Sequence, residues 1–167
     1  MTIAEQQQWL MAQFAKHTSW VPYIEQALAA VPYPQKPEGL YEPIEYVLSM
    51  GGKRLRPTLL LMTYGLYKDD INHATPAAVG IETYHNHTLL HDDLMDHADM
   101  RRGKPTVHKK WNDNTAVLSG DTMLIMAFRH IMQCQCQHQA EALDLFARTA
   151  QEICEGQQYD VNFETRT

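Results

Sequence analysis

Residues 85–104 read HNHTLLHDDLMDHADMRRGK, and the rest of the chain is organised around them. Three carboxylates (Asp92, Asp93, Asp96) stand directly before three cations (Arg101, Arg102, Lys104). A helix advances by about 100° per residue, so His85, Asp92 and Asp96 fall within about 40° of one another on one face, with Thr88 and Leu89 between them in sequence. The turns leading into the acidic group contain Ile81, Tyr84, Leu89 and Leu90, so this helix has a core to face. Apolar residues recur at helical spacing almost throughout the chain, and no alternating Val/Ile/Thr-rich run stands out as a strand. The expected fold class is all-α.

Working outward, the central helix is expected from about Pro76 to His97, with Thr75 as its cap and Pro76 in its first turn. Before it, helices are expected over about 2–17 (carrying Trp9, Leu10 and Phe14), following Pro22 and running to Ala30, over about 38–49, and from Pro57 to Tyr67. The last of these is apolar on nearly every side and is expected to be buried. VPYPQKP (31–37) reads as a proline-interrupted linker, and Gly51-Gly52 as a helix stop. Beyond the acidic group, Arg101–Pro105 reads as a loop and His108–Trp111 as a short helix. A long helix capped by Asp113 or Asn114 then runs to about Gln133. A final helix begins near Gln139 and carries Phe146, Thr149, Ile153, Gly156 and Asp160 at i+3/i+4 steps.

The 167 residues fit one domain, and the net charge of −6 argues against a nucleic-acid surface. Cations are concentrated at Lys53–Arg56 and Arg101–Lys110, which suits a local anion site. The opening TIAEQQQ is unlike a secretory signal, and the LLLM run at 59–62 is far too short to cross a bilayer. Three cysteines with no C-x-x-C suggest a reducing compartment. Cys134 and Cys136 diverge by about 200° on a helix, so they read as packing thiols. The expected location is the cytoplasm, with no integral membrane segment.

The acidic group is either a solvated helix face or a cation site. Carboxylates near a helix C-terminus are disfavoured by the dipole unless something compensates them, and a carboxylate pair at i, i+4 can hold a hard cation. Arg101, Arg102 and Lys104 either neutralise the aspartates or clamp phosphate oxygens. Exposed ion pairs contribute only about 0–1 kcal/mol, and paired arginines beside a glycine suit a clamp better. The simplest ligand satisfying both clusters is a magnesium–diphosphate. Lys53 and Arg56, after Gly51-Gly52, form a second cationic set, so two anionic substrates are expected rather than one. His87 and His91 form H-x-x-x-H ahead of Asp92. That pattern admits a zinc or phosphohydrolase site, or packed histidines; the absence of an intervening glutamate and their distance around the helix from Asp92 favour packing. Gln157 and Asp160 either face a cavity or are the wet end of an amphipathic helix.

GGKRLRP, HNHTLLHDDLMD, RRGKPTVH and GQQYD, in this order and at these intervals, resemble the trans-isoprenyl diphosphate synthases (the polyprenyl synthetase family) from Tyr41 onward. DDLMD is similar to the short form of the family's first aspartate-rich motif. The resemblance implies an antiparallel α-helical bundle with substrates between helices, usually homodimeric. It implies Asp92 and Asp96 as principal magnesium ligands, supported by Asp93, and Arg101 as the allylic-diphosphate contact. It implies Lys53, Arg56, His85 and Arg102 as isopentenyl-diphosphate contacts, with the glutamine and aspartate of GQQYD, Gln157 and Asp160, facing the active cavity. The catalytic set is then Asp92, Asp93, Asp96, Arg101 and Arg102.

The implied reaction joins isopentenyl diphosphate head-to-tail to an allylic diphosphate (dimethylallyl, geranyl or farnesyl), with magnesium and basic side chains assisting ionisation of the allylic C–O bond. In this family the side chains four and five positions before the first aspartate limit product length. Here these are Thr88 and His87, about 7 Å deeper than the metal site, and the expected product is C15–C20. Nothing after Asp160 resembles the family's second aspartate-rich motif. The chain therefore reads as the amino-terminal half of a synthase, with the second half absent and little activity expected from it alone. A terpene cyclase shares the acidic helix but has no use for Lys53, Arg56 and His85. A non-catalytic subunit of a heteromeric synthase is the other alternative, although such subunits often have eroded aspartate motifs.

Overall fold

The computed structural model describes residues 12, 20–134 and 136–164. The chain divides into two units, residues 1–134 and 135–167. The helix expected over about 2–17, with Trp9, Leu10 and Phe14, lies outside the described residues apart from Ala12.

In the first unit, residues 20–29 are helical (α1), so Pro22 lies within helix rather than ahead of it. The linker 31–37 contains no regular structure. Helix α2 spans Glu38–Leu48, α3 spans Leu55–Tyr64 and α4 spans Thr75–Met95, with a single 3-10 turn at Ile71–His73 before α4. Helix α5 is Val107–Lys110 and α6 is Asp113–Met132. The second unit is one long helix, α7, Gln139–Glu164, none of whose residues is buried. The all-α expectation holds, with one small addition. Arg101–Pro105 is not an open loop: Met100–Arg101 (β1) pairs antiparallel with Lys104–Pro105 (β2). Arg102 and Gly103, at φ 52° and 76°, make the two-residue turn that matches the strands' twist.

Helix α4 is the centre of the first unit. It packs most extensively on α6 and also on α3, while α2 packs on α6. One apolar core joins Ile24 and Leu28 of α1, Ile44 and Val47 of α2, Leu61 of α3, Val79 and Leu90 of α4, Val107 of α5 and Met123 of α6. The α4–α6 crossing is close because two glycines permit it. A Cβ on Gly80 would meet the Ala127 carbonyl and the Ile131 side chain, and the His91 ring fills the space a Cβ on Gly120 would need. The buried side chains of α6 (Ala116, Ser119, Met123, Ala127, Ile131) recur at three- and four-residue steps along the facing stripe, with buried Gly120 beside Ser119. Ser119 Oγ donates to the Leu40 carbonyl at 3.0 Å, tying α6 to α2.

Several local expectations need correction. Helix α3 is not buried on all sides. It ends at Tyr64 rather than Tyr67, and Leu55 and Leu59 are exposed, as are Leu66 and Tyr67 beyond its end, while Pro57, Thr58 and Leu61 are buried and Leu60 and Tyr64 pack partly against the core. Apolar composition shows that a face wants cover, not that this chain covers it. Thr75 does not cap α4; Ala74 occupies that position, and the Thr75 hydroxyl bonds the Ile71 carbonyl and the Tyr23 hydroxyl instead. The cap of α6 is Asn112, one residue earlier than expected, whose Oδ1 accepts the Thr115 N–H at 2.9 Å. Cys136 is exposed rather than packed, Cys154 is exposed as well, and none of Cys134, Cys136 and Cys154 is in a disulfide.

Gly80→Val should therefore lower the melting temperature, since overpacking a helix crossing costs about 1–3 kcal/mol. Gly39→Ala, where an added Cβ meets nothing within 4 Å, should leave stability unchanged or raise it. Thermal denaturation followed by circular dichroism compares the two. Equal melting of both variants would mean that α4 and α6 do not meet at Gly80.

Candidate active site: an acidic helix end facing two cationic loops

Helix α4 ends in a left-handed cap built by backbone geometry. The Ala98 N–H donates to the Asp93 carbonyl (2.9 Å) and the His97 N–H to the Leu94 carbonyl (3.2 Å), with His97 at φ 52° where glycine is the usual residue. This stop sets the acidic group on the last turns of the helix. The three aspartates then have different surroundings. Asp93 is buried at 7% exposure and accepts from Arg101 Nε at 2.7 Å. Asp92 is half-buried, and Asp96 is exposed. Neither enters an ion pair among the described residues, whereas Asp93 and Asp99 both do. Burial pushes the Asp92 carboxyl above the usual aspartate range, and the neighbouring Asp96 and Asp93 add to the rise, while Arg101 opposes it.

The cations reach this end of α4 from two loops. The hairpin turns Arg101 inward onto Asp93 and puts Arg102 at its tip, where Arg102 donates to the Gly51 carbonyl. The φ of 153° at Gly52 favours glycine there, and the Arg102 guanidinium lies only 3.1 Å from where a Cβ on Gly52 would be. Arg56 approaches His85 Nε2 at 3.3 Å. Burial and then Arg56 hold the His85 imidazole below its ordinary value; Arg102 and Arg101 lower it further, and Glu82 works the other way. A guanidinium can only donate, so His85 Nε2 is the acceptor in its contact with Arg56. The sequence-predicted residues Arg56, His85, Asp92, Asp93, Arg101 and Arg102 are brought into one neighbourhood. Lys53 is exposed on the loop that carries Arg56.

His87 Nδ1 meets the Gly120 carbonyl at 2.9 Å, and its ring packs between Tyr84 and His91. His91 is turned toward α6 as well, 3.4 Å from the Val117 carbonyl. Thr88 is half-buried, with its hydroxyl on the His85 carbonyl. Gln157 and Asp160 belong to α7 in the second unit, Gln157 half-buried and Asp160 exposed.

Sequence reasoning missed Arg54. Its side chain is fully buried and donates to Glu25 (2.7 and 3.1 Å), to Glu82 (2.6 Å) and to the Leu48 carbonyl (2.7 Å). Asn86 Nδ2 donates to the same Glu82 oxygen at 3.1 Å. The available signal was Glu82 itself, a lone charge within the apolar first half of α4.

Among the described residues no three His, Cys, Asp or Glu side chains converge into a protein-only metal cage. Asp92 and Asp96 nevertheless suit magnesium, which is commonly held by one or two carboxylates while keeping several waters. They stand one turn apart and form no ion pair among the described residues, and burial, followed by repulsion from Asp96, raises Asp92.

The family model for polyprenyl synthetase matches residues 37–167. A geranylgeranyl diphosphate synthase of Methanosarcina mazei is 42% identical over 133 residues, covering 78% of this chain and 41% of that protein. A short chain isoprenyl diphosphate synthase of Methanocaldococcus jannaschii is 44% identical, covering 79% and 41%. Among solved structures, a geranylgeranyl pyrophosphate synthetase from Pyrococcus horikoshii superposes with a TM-score of 0.84 at 35% identity, covering 94% of this chain and 49% of that one. The chain thus spans about two fifths of the length of the curated relatives it matches.

Two titrations check the electrostatics. His85 should titrate below the ordinary imidazole value of about 6.5, and Arg56→Ala should raise its midpoint; an NMR titration showing no change on substitution would separate the two side chains. The raised Asp92 pKa means that the unfolded state prefers the ionised carboxyl, so stability falls as pH rises from the unfolded to the folded value. Without divalent ions at neutral pH, Asp92→Asn should melt higher than the parent. A lower melting temperature would show that the carboxylate is already compensated.

Proposed function

Since the chain belongs to the polyprenyl synthetase family, we propose that it supplies the part of a prenyl-transfer site that binds two diphosphates. Lys53, Arg56, His85 and Arg102 hold isopentenyl diphosphate. Arg101 holds the allylic diphosphate (dimethylallyl, geranyl or farnesyl), with magnesium on Asp92 and Asp96. The observation that carries this reading is the position of Arg101. It is fixed by Asp93 through Nε, and its charge is felt both at Asp92 on the acidic side and at His85 on the cationic side. A diphosphate at that junction meets both clusters.

Bound magnesium would neutralise charge on the departing diphosphate. The protein's own share is to orient the two anions and keep their cations in place before reaction, which removes reorganisation from the chemical step. Asp93 keeps Arg101 from swinging into solvent. Neutral His85 leaves the charge on Arg56, where a phosphate oxygen can use it. Thr88 lies one turn deeper on the Asp92 face, and His87, held against Gly120, stiffens the neighbouring wall. Together they support a C15–C20 product. The proximity of Arg56 to His85 argues against a terpene cyclase, which has no second diphosphate to bind. Gln157 and Asp160 remain in the proposal through the GQQYD motif alone.

We further propose that the working unit is a homodimer. Leu118, Ile125 and Met132, all exposed, recur every seven residues along α6 and offer a second copy an apolar stripe. No described helix is long and apolar enough to cross a membrane, and cytoplasmic diphosphate chemistry fits the reading. The sequence holds only the first acidic motif, so this 167-residue polypeptide alone should turn over little or not at all.

Labelled isopentenyl diphosphate with farnesyl diphosphate and magnesium tests the proposal in two formats. The chain alone should form product near background. The chain joined to the complementary portion of the Methanosarcina relative should form prenyl diphosphate, and Asp92→Ala with Asp96→Ala should cut that by about a thousandfold. A joined enzyme indifferent to the double substitution would refute the assignment.

A further inference from the structure

Resting on the reading of the cationic loop as a diphosphate contact, we infer that Arg54, which is too buried to touch any ligand, is a positioning residue that sets the affinity of that loop for diphosphate. Three of the four residues from Gly51 to Arg54 have positive φ: 75° at Gly51, 153° at Gly52 and 47° at Arg54. Glycine adopts such angles freely. Arginine does so at a cost of about 1 kcal/mol or more, and persists there only where its surroundings over-determine it. The surroundings here are the four contacts of the Arg54 guanidinium. They anchor the loop to α1 through Glu25, to α4 through Glu82 and to the end of α2 through the Leu48 carbonyl. Burial works against the Arg54 charge, and the hydrogen bonds to Glu25 and Glu82 more than reverse it.

Three cations depend on the loop held in this way. Lys53 precedes Arg54 and stays exposed. Arg56 follows two residues later and reaches His85. Arg102 comes from the other loop, but it takes its orientation from the Gly51 carbonyl and from the space left by Gly52. Arg54 therefore clamps the Gly51–Gly52 backbone from within while Arg102 rests on it from outside. A buried ion cluster contributes little net stability compared with an apolar replacement, so its removal should disturb the loop more than the fold.

The test is calorimetric titration of the 167-residue chain with inorganic pyrophosphate in the absence of divalent ions. Arg54→Met should weaken binding by about tenfold or more, the worth of one well-placed charge-assisted contact, and Arg54→Lys should restore part of it. The amide NMR signals of α6 should stay in place in both. Because Arg54→Met takes the cation from buried Glu82 and half-buried Glu25, the variant R54M/E25Q/E82Q, neutral throughout, is measured alongside and should show the same loss. Parent-like affinity in that triple variant overturns the inference, and so does a loss accompanied by displaced α6 signals, which would mark a merely structural role. The control is Lys53→Ala with Arg56→Ala. If this pair weakens binding but the Arg54 variants do not, the inference fails alone. If pyrophosphate does not bind the parent, or binds regardless of Lys53 and Arg56, the functional reading fails and the inference with it.

Discussion

Burying a polar helix obliges the rest of the chain to answer each of its charges. Helix α4 lies against α3 and α6 yet carries Glu82, Thr83, Asn86 and Asp93 as buried residues. An unpaired buried charge is among the costliest defects a fold can carry. Glu82 is answered by Arg54 and Asn86, and Asp93 by Arg101. Each answer pulls a loop onto the helix: GGKRLRP at one level, and the RRGK hairpin at the other. The site therefore follows from electrostatic satisfaction of one helix. Asp92 and Asp96, which form no ion pair among the described residues, end that helix at the place proposed for the magnesium ion.

Strain is concentrated in the same place. Among the described residues the non-glycine positions with positive φ are Arg54, His97 and Arg102. One holds the first cationic loop, one ends the acidic helix and one forms the tip of the second loop. Backbone conformations of this kind persist where neighbouring contacts fix them, and here those contacts are the ion pairs and carbonyl bonds of the site. Geometry that would be unfavourable in a surface loop keeps the cations arranged before any ligand arrives.

Much of this was legible in the sequence because helices advertise their period. The extents of α4, α5 and α7's start, the linker at 31–37 and the neighbourhood of Asp92, Arg101, Arg56 and His85 follow from spacing and motif. What was not legible depends on partners distant in sequence. The exposure of α3 turns on which neighbours reach it. The cap at Asn112 instead of Asp113 depends on which side chain meets the Thr115 N–H. Arg54 looked like one more basic residue of a motif, and only its pairing with Glu25 and Glu82, 29 and 28 residues away in opposite directions, shows it to be internal. The hairpin at Arg101–Pro105 escaped because two-residue strands have no period to read.

In the proposed function, Asp92 and Asp96 recruit a divalent cation which then helps bind a diphosphate. Titrating pyrophosphate into this chain with and without magnesium tests it most directly. Magnesium should tighten binding to the parent and have no effect on Asp92→Asn with Asp96→Asn. An identical magnesium enhancement in the doubly substituted chain would contradict it.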